Sequence, residues 1–293
     1  MGFYNAQKGA RMLKVLSAKS YSDQSKNYGD CTLIEIDNQL FIYDCGSKEH
    51  AVRVEQYMKE QNHKQAVGIL SHNDADHFDG FPYLISKGLI SKVHVQLLSE
   101  HASDIMDFLD DDRFTEKSVS NRIKDVFNNI EQLKESVEVQ DAIENHEISP
   151  SITIVGPSQE YIKKAVAKEI IPSEGDSLNG ETIINAISMQ LCVTLENGKH
   201  CLLTGDACYE AISNNITDKE ILQLPHHGKS AIARQIFDQL ENNNDIKYFI
   251  SDNTGSSNGG SDGRCLKGHD VETTKENDIK FPKTSPRFVG CLG

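Results

Sequence analysis

Four side chains that bind metal ions well, His72, Asp74, Asp76 and His77, fall within the stretch Ser71-His72-Asn73-Asp74-Ala75-Asp76-His77-Phe78-Asp79-Gly80. Imidazole and carboxylate donors together suit a hard or borderline divalent cation, and ligands alternating along an extended loop can face two ions from opposite sides. A loop that only capped the next helix would be served by Asn73, Asp74 or Asp76 and would have no use for histidines. The spacing points to a metal centre.

Further candidates lie elsewhere in the chain. Pro225-His226-His227-Gly228 holds two adjacent histidines with little backbone freedom, which suits ligation or proton transfer. Asp44, in Asp44-Cys45-Gly46, and Asp206, in Leu202-Leu203-Thr204-Gly205-Asp206, each follow an apolar run. An acidic residue at a strand end reads either as a turn residue or as a carboxylate pointing into a site at a sheet edge.

These residues need strands to carry them. Apolar runs predict strands over 12–16, 31–36 and 40–43, the last two turned at Asp37-Asn38, and a helical period covers 50–61. A strand over 67–70 delivers the ligand loop. A helix over 81–85 closed by Gly88 and a strand over 93–97 follow it. Alternation of this kind after an initial hairpin predicts α/β layers. Residues 102–147 differ: Ile123, Val126, Phe127, Ile130, Leu133 and Val137 recur at threes and fours, predicting one or two amphipathic helices inserted into the fold. Their acidic cluster, Asp107, Asp110, Asp111 and Asp112, reads as a solvated face. Beyond it come a strand over 152–155, a helix over 158–168 and a polar loop over 173–180. A hairpin of 183–195 with 200–204 turns at Asn197-Gly198. A helix over 207–214, strands over 221–224, 249–251 and 279–281, and a Ser/Gly/Asn-rich loop over 252–263 complete the reading. The 293 residues suffice for one domain, 1–293, with a substantial core.

The formal net charge of -14 makes the surface repel polyanions, which disfavours sequence-independent binding of long duplex DNA. Bound divalent ions would reverse that sign locally. The seven cysteines, Cys31, Cys45, Cys192, Cys201, Cys208, Cys265 and Cys291, form no Cys-x-x-Cys pair and read as reduced core residues. No apolar run approaches the roughly 18 residues that cross a bilayer, so a cytoplasmic protein without a membrane partner is expected.

With Asp44 after a strand, His72-x-Asp74-x-Asp76-His77, Thr204-Gly205-Asp206 and His226-His227-Gly228 in this order, the chain resembles the metallo-β-lactamase superfamily. The aspartate at Asp74, where many members carry a second histidine, resembles the metallohydrolase domain of ComEC-type DNA-uptake channels and its stand-alone relatives. Asn185-x-x-Ser188 and Thr274-Lys275-Glu276-Asn277-Asp278-Ile279 add to that likeness. It runs from about Leu13 to Phe281, excluding the helical insertion and the Ser/Gly loop.

The resemblance implies an αββα metallo-β-lactamase sandwich with a helical insertion, its site lying along one edge of two packed sheets. It implies two divalent metal ions, zinc or manganese, with His72 and Asp74 on one, Asp76, His77 and one of the paired histidines on the other, and Asp206 bridging. His226 is the expected ligand and His227 the residue facing substrate. Asp44 would orient a ligand histidine. The third histidine that many members use on the first ion has no match, and Asn185 with Ser188 stands near its place. That favours manganese, the harder ion. The implied reaction is hydrolysis of a phosphodiester, with Asp76 and His227 in the chemistry and single-stranded nucleic acid or a small or cyclic nucleotide as substrate. The same fold also accommodates hydrolysis of another ester, thioester or lactam bond. A third expectation is a partner-activated effector or binding subunit of a larger complex, such as a bacterial defence complex, docked through the helical insertion.

Overall fold

The computed structural model describes residues 9–109, 113–170, 177–178, 180–243, 245–251, 260–261 and 263–282. Asp110, Asp111 and Asp112 of the acidic cluster, most of the Ser/Gly/Asn-rich loop, and Cys291 lie outside the described residues.

Met12–Val15 (β1), Cys31–Ile36 (β2) and Gln39–Cys45 (β3) form an antiparallel meander. Asp37 and Asn38, at φ 46° and 69°, make the turn, the positive-φ pair that a two-residue hairpin requires. Lys48–Gln61 (α1) starts where the Ser47 side chain accepts from the His50 amide, and it ends at Asn62 in the left-handed region. Its buried face, Ala51, Val54 and Met58, has the helical period expected of it. Ala66–Ile69 (β4) then pairs parallel with β3. Ala75–Phe78 (α2) and Phe81–Ser86 (α3) lead to Ile90–Val95 (β5), parallel to β4.

The region 102–147 is helical only in its first part, as Ala102–Met106 (α4), Glu116–Val126 (α5) and Asn128–Leu133 (α6). Glu138–Asp141 (β6) is an outer strand of the first sheet, parallel to β5, and Glu147–Ser149 (β7) is an outer strand of the second. Such short, charged edge strands escape a reading by apolar pattern, because an edge exposes its residues.

The second sheet continues with Ile152–Gly156 (β8), followed by Gln159–Ile170 (α7) and a small pair, Ser177–Leu178 (β9) with Glu181–Thr182 (β10). Residues 183–186 are not strand but a short helix, Ile183–Ala186 (α8), because Thr182 caps it by accepting from the Asn185 amide at 3.2 Å. The expected hairpin is therefore Gln190–Thr194 (β11) with His200–Leu203 (β12). Tyr209–Ile212 (α9), Ile221–Gln223 (β13), Lys247–Ile250 (β14) and Val271–Thr273 (β15) complete this sheet in the order β15-β14-β13-β12-β11-β8-β7. Ile279–Phe281 (β16) returns to the first sheet and pairs with β1.

The layers follow from strand alternation. Ile34, Phe41 and Ile69 point between the sheets and meet Ile154, Leu191, Leu203 and Phe249. Their neighbours Leu33, Leu40 and Ile42 point outward under Val54, Met58 and Phe81, while Leu202, Leu222 and Tyr248 lie under helical residues of the other side. Both faces of each sheet are covered, which is why the strands read as nearly continuous apolar runs. Full burial of each large apolar side chain contributes about 1.5–3 kcal/mol. Cys31, Cys45, Cys201 and Cys208 are buried and outside any disulfide, in keeping with the core role read for them, whereas Cys192 and Cys265 are only half-buried. Among the described residues, no helix is long and apolar enough to cross a membrane.

Candidate metal centre

The parallel pairs β3·β4 and β12·β13 bring four strand ends to one edge of the sandwich. Asp44 ends β3, the ligand loop follows β4, Asp206 follows β12, and His226 and His227 follow β13. His72, Asp74, Asp76 and His77 from one sheet thus face Asp206 and the paired histidines from the other.

Each histidine is held by its Nδ1 and turns its Nε2 toward the others. His77, fully buried, sets Nδ1 2.8 Å from Asp44 Oδ2, and its Nε2 lies 3.2 Å from Asp206 Oδ1. Asp44 also accepts from the Ser71 amide and the Ser71 hydroxyl, both at 2.7 Å. Because that hydroxyl spends its one proton on Asp44, it can only accept from His72 Nδ1, 2.9 Å away. His72 therefore carries its proton on Nδ1 and a lone pair on Nε2, 3.8 Å from Asp74 Oδ2. His227 sets Nδ1 2.8 Å from the Ser251 carbonyl and 3.3 Å from Asp30 Oδ1, with Nε2 3.1 Å from Asp76 Oδ2. In His226, Nδ1 is 2.7 Å from Glu181 Oε2, and Nε2 is 3.9 Å from Asp206 Oδ2.

The electrostatics are those of donors gathered for a cation. Burial resists charge on His77 and His227, yet Asp206 and Asp44 around the first, and Asp206, Asp30 and Asp76 around the second, hold both well above the ordinary histidine range. Burial also resists charge on Asp206, but His77 and His227 hold it well below the usual carboxylate range. Burial pushes His72 down to about 3, leaving it neutral and able to ligate.

The donor set fits a divalent ion. His72 Nε2, His77 Nε2 and Asp206 Oδ1 are buried without a hydrogen-bond partner, and donor atoms of these three residues lie within 4.8 Å of one another. Asp30, His77 and His227 form a second such group sharing His77. Asp76 and Asp74 flank them and are more exposed, with side-chain exposures of 27% and 39%. His226 stands outside both groups.

Two participants carry no sequence signal of the kinds described above. Asp30, buried, accepts from Gln223 Nε2 at 2.7 Å, and its amide donates to the Asp76 carbonyl at 2.9 Å. Glu181 lies equally deep behind His226. Asp30 directly follows Gly29 and Glu181 directly follows Gly180, a pairing that by itself marks neither as part of a site. Asn185 and Ser188, expected near the first ion, fall on either side of the α8 terminus, and the Ser188 hydroxyl sits 3.1 Å from His72 Nδ1 and accepts from the Asp206 amide. The insertion reaches the loop too: Asn129 Nδ2 donates to the Asn73 carbonyl at 3.0 Å, and Asn73 Nδ2 donates to the Val126 carbonyl at 3.2 Å.

Asp44 is fully buried and fixes the His77 ring. Asp44→Asn is expected to weaken divalent-ion binding about 10–100-fold with the fold intact. Calorimetric titration with zinc checks this, and an unchanged affinity would reduce Asp44 to a turn residue.

Comparison with protein-family models finds no match, and comparison with curated proteins finds none either. Solved structures do match. The metallo-β-lactamase fold protein YhfI from Bacillus subtilis is similar at 11% identity, over 92% of this chain and 99% of that one, with a TM-score of 0.53. Igni18, a metallo hydrolase from the archaeon Ignicoccus hospitalis KIN4/I, matches at 12% identity over 92% and 98%, TM-score 0.49. A diphosphatase from the PhnP family matches at 12% identity over 92% and 97%, TM-score 0.48. Two seven-stranded sheets packed face to face between helical layers, together with the likeness to YhfI, give this chain the metallo-β-lactamase fold.

Proposed function

We propose that the protein is a metal-dependent hydrolase of phosphodiesters, acting on a small or cyclic nucleotide or on single-stranded nucleic acid. The observation that carries this reading is the convergence of His72 Nε2, His77 Nε2 and Asp206 Oδ1, buried and without partners, at the edge where the two sheets meet. His72, Asp74 and Asp206 would hold one ion, and Asp76, His77, His227 and Asp206 a second, with zinc and manganese both suited to these donors. When bound, two such ions activate water and neutralise charge developing on the leaving oxygen.

The geometry favours His227 over His226 as ligand, the reverse of the sequence expectation. His227 is buried, and its Nε2 lies among the loop donors; the His226 side chain is 17% exposed and stands to the side of Asp206. His226 is thus the imidazole placed to meet substrate, with Nε2 free to take a proton from water and pass it to the leaving oxygen. Asp44 and Asp30 keep His77 and His227 from rotating. The acidic surface supports a small nucleotide over a long polymer.

Elemental analysis with zinc- and manganese-supplemented assays on bis-p-nitrophenyl phosphate and single-stranded DNA tests this. Hydrolysis is expected, lost on chelation and in Asp76→Ala. Turnover surviving both would remove the metal reading, and a preference for ester, thioester or lactam reporters would assign another bond.

A further inference from the structure

We propose that Glu181 is the positioning residue of His226: clamped on one oxygen by Lys229, it accepts the Nδ1–H hydrogen bond on the other and so turns Nε2 to the open side of the centre. This rests on the reading of His226 as the residue that meets substrate, but its signature is visible without turnover.

A buried carboxylate is costly unless paired, and Glu181 is paired twice. Its side chain is 2% exposed, Oε2 lies 2.7 Å from His226 Nδ1, and Oε1 lies 2.6 Å from Lys229 Nζ. The ammonium meets Oε1 as an ion pair and donates to the Gly180 carbonyl at 2.9 Å, so it is anchored to the segment that carries Glu181. Since Lys229 supplies the positive charge, Glu181 acts on the imidazole as a fixed acceptor.

The His226 ring needs such a tether. Its backbone sits at φ 51°, ψ 58°, the left-handed region that non-glycine residues seldom occupy, within a tight turn between Leu224 and Lys229. The backbone is fixed there by the His226 amide donating to the Gly205 carbonyl at 3.2 Å, which leaves rotation of the ring open. A half-turn of the imidazole would exchange Nε2 for a carbon at the centre. Glu181 opposes that half-turn because only Nδ1 can reach its carboxylate. The same short segment, β10 into α8, leads to the Ser188 hydroxyl on His72 and Asp206, so one element aligns both flanks of the centre.

The clamp makes a sharp prediction. In Glu181→Gln the amide has one oxygen, which Lys229, a donor only, will claim; the NH2 group then faces His226 and forces Nδ1 to accept, moving the proton to Nε2. In the double variant Glu181→Gln with Lys229→Met, the oxygen is free to turn back, and the Nδ1 proton returns. Long-range proton–nitrogen spectra of the zinc-supplemented full chain, with the His226 signals identified by their loss in His226→Gln, read the tautomer directly. The expected sequence is Nδ1–H in the parent, Nε2–H in the single variant and Nδ1–H again in the double, with zinc content unchanged throughout. Turnover of bis-p-nitrophenyl phosphate should fall about 100-fold in kcat in the single variant with little change in KM. A His226 tautomer indifferent to Glu181→Gln would overturn the proposal. Tautomers behaving as stated in a protein with no phosphodiester turnover would support the positioning role and remove the phosphodiester reading instead.

Discussion

On the proposed two-ion phosphodiesterase centre, Asp206→Asn is expected to abolish ion binding and to lower turnover about 10^3-fold or more, while leaving the sandwich folded. Asp206 is the carboxylate toward which the histidines of both sheets turn: Nε2 of His77 stands 3.2 Å away and that of His226 3.9 Å away. Its amide is held by the Ser188 hydroxyl, so the side chain has little freedom to move aside for a substitute. Asparagine keeps the shape and removes the charge, leaving the imidazoles without the anion that draws a cation among them. Elemental analysis and steady-state kinetics on the same preparation read both effects. A variant that still holds two ions and turns over within about tenfold of the parent would show that Asp206 bridges nothing.

The second large effect is expected from a residue with no side chain. Gly29 lies against the backbone of Asp76 so closely that a Cβ would stand 1.7 Å from the Asp76 carbonyl oxygen, and its φ of +68° disfavours alanine besides. Gly46 approaches the same oxygen from the neighbouring strand end, where a Cβ would lie 1.9 Å away. These two glycines let the segments bearing Asp30 and Asp44 close onto the ligand loop, joined by the Asp30 amide donating to Asp76 at 2.9 Å and the Gly46 amide donating to Asp30 at 2.8 Å. Gly29→Ala must push main chain against main chain, and a loss of about 4 kcal/mol or more is expected, with Asp76 and Asp30 displaced. Gly88 provides the control: it has the same φ of +68°, and a Cβ there would meet nothing within 4 Å, so Gly88→Ala should cost only about 1–2 kcal/mol of conformational strain. Thermal unfolding of the two variants side by side decides the matter. Equal losses would mean that the close approach to Asp76 carries no weight.

The loop His72 to His77 was legible because its residue types are scarce elsewhere in an apolar strand context, and the layered α/β order was legible because covered strands leave long apolar runs. Asp44 and Asp206 could be picked out as acids at strand ends, with their direction left open. What stayed hidden has a common cause. Asp30 and Glu181 act on His227 and His226 across large separations in sequence, and one carboxylate beside a glycine has no local pattern to betray it. The order of the paired histidines was equally silent, since two left-handed residues in succession aim their rings in ways that spacing does not encode. β6 and β15 were missed because edge strands need no apolar alternation, and α8 was missed because Ile183-Ile184-Asn185-Ala186-Ile187 satisfies both periods until Thr182 is seen to cap it.

The division of the centre between two sheets has a consequence for how the protein is made. A ribosome releases earlier segments first, so Asp30, Asp44 and the loop through His77 emerge long before Asp206 and His227 exist. Until then, the early donors form half a cradle. The first sheet is itself unfinished at that stage, because β16, more than two hundred residues further along, supplies the strand that flanks β1. On the proposed function, ion capture by the full donor set would belong to a late stage of biosynthesis, and a loaded centre would mark a chain whose translation has passed both sheets.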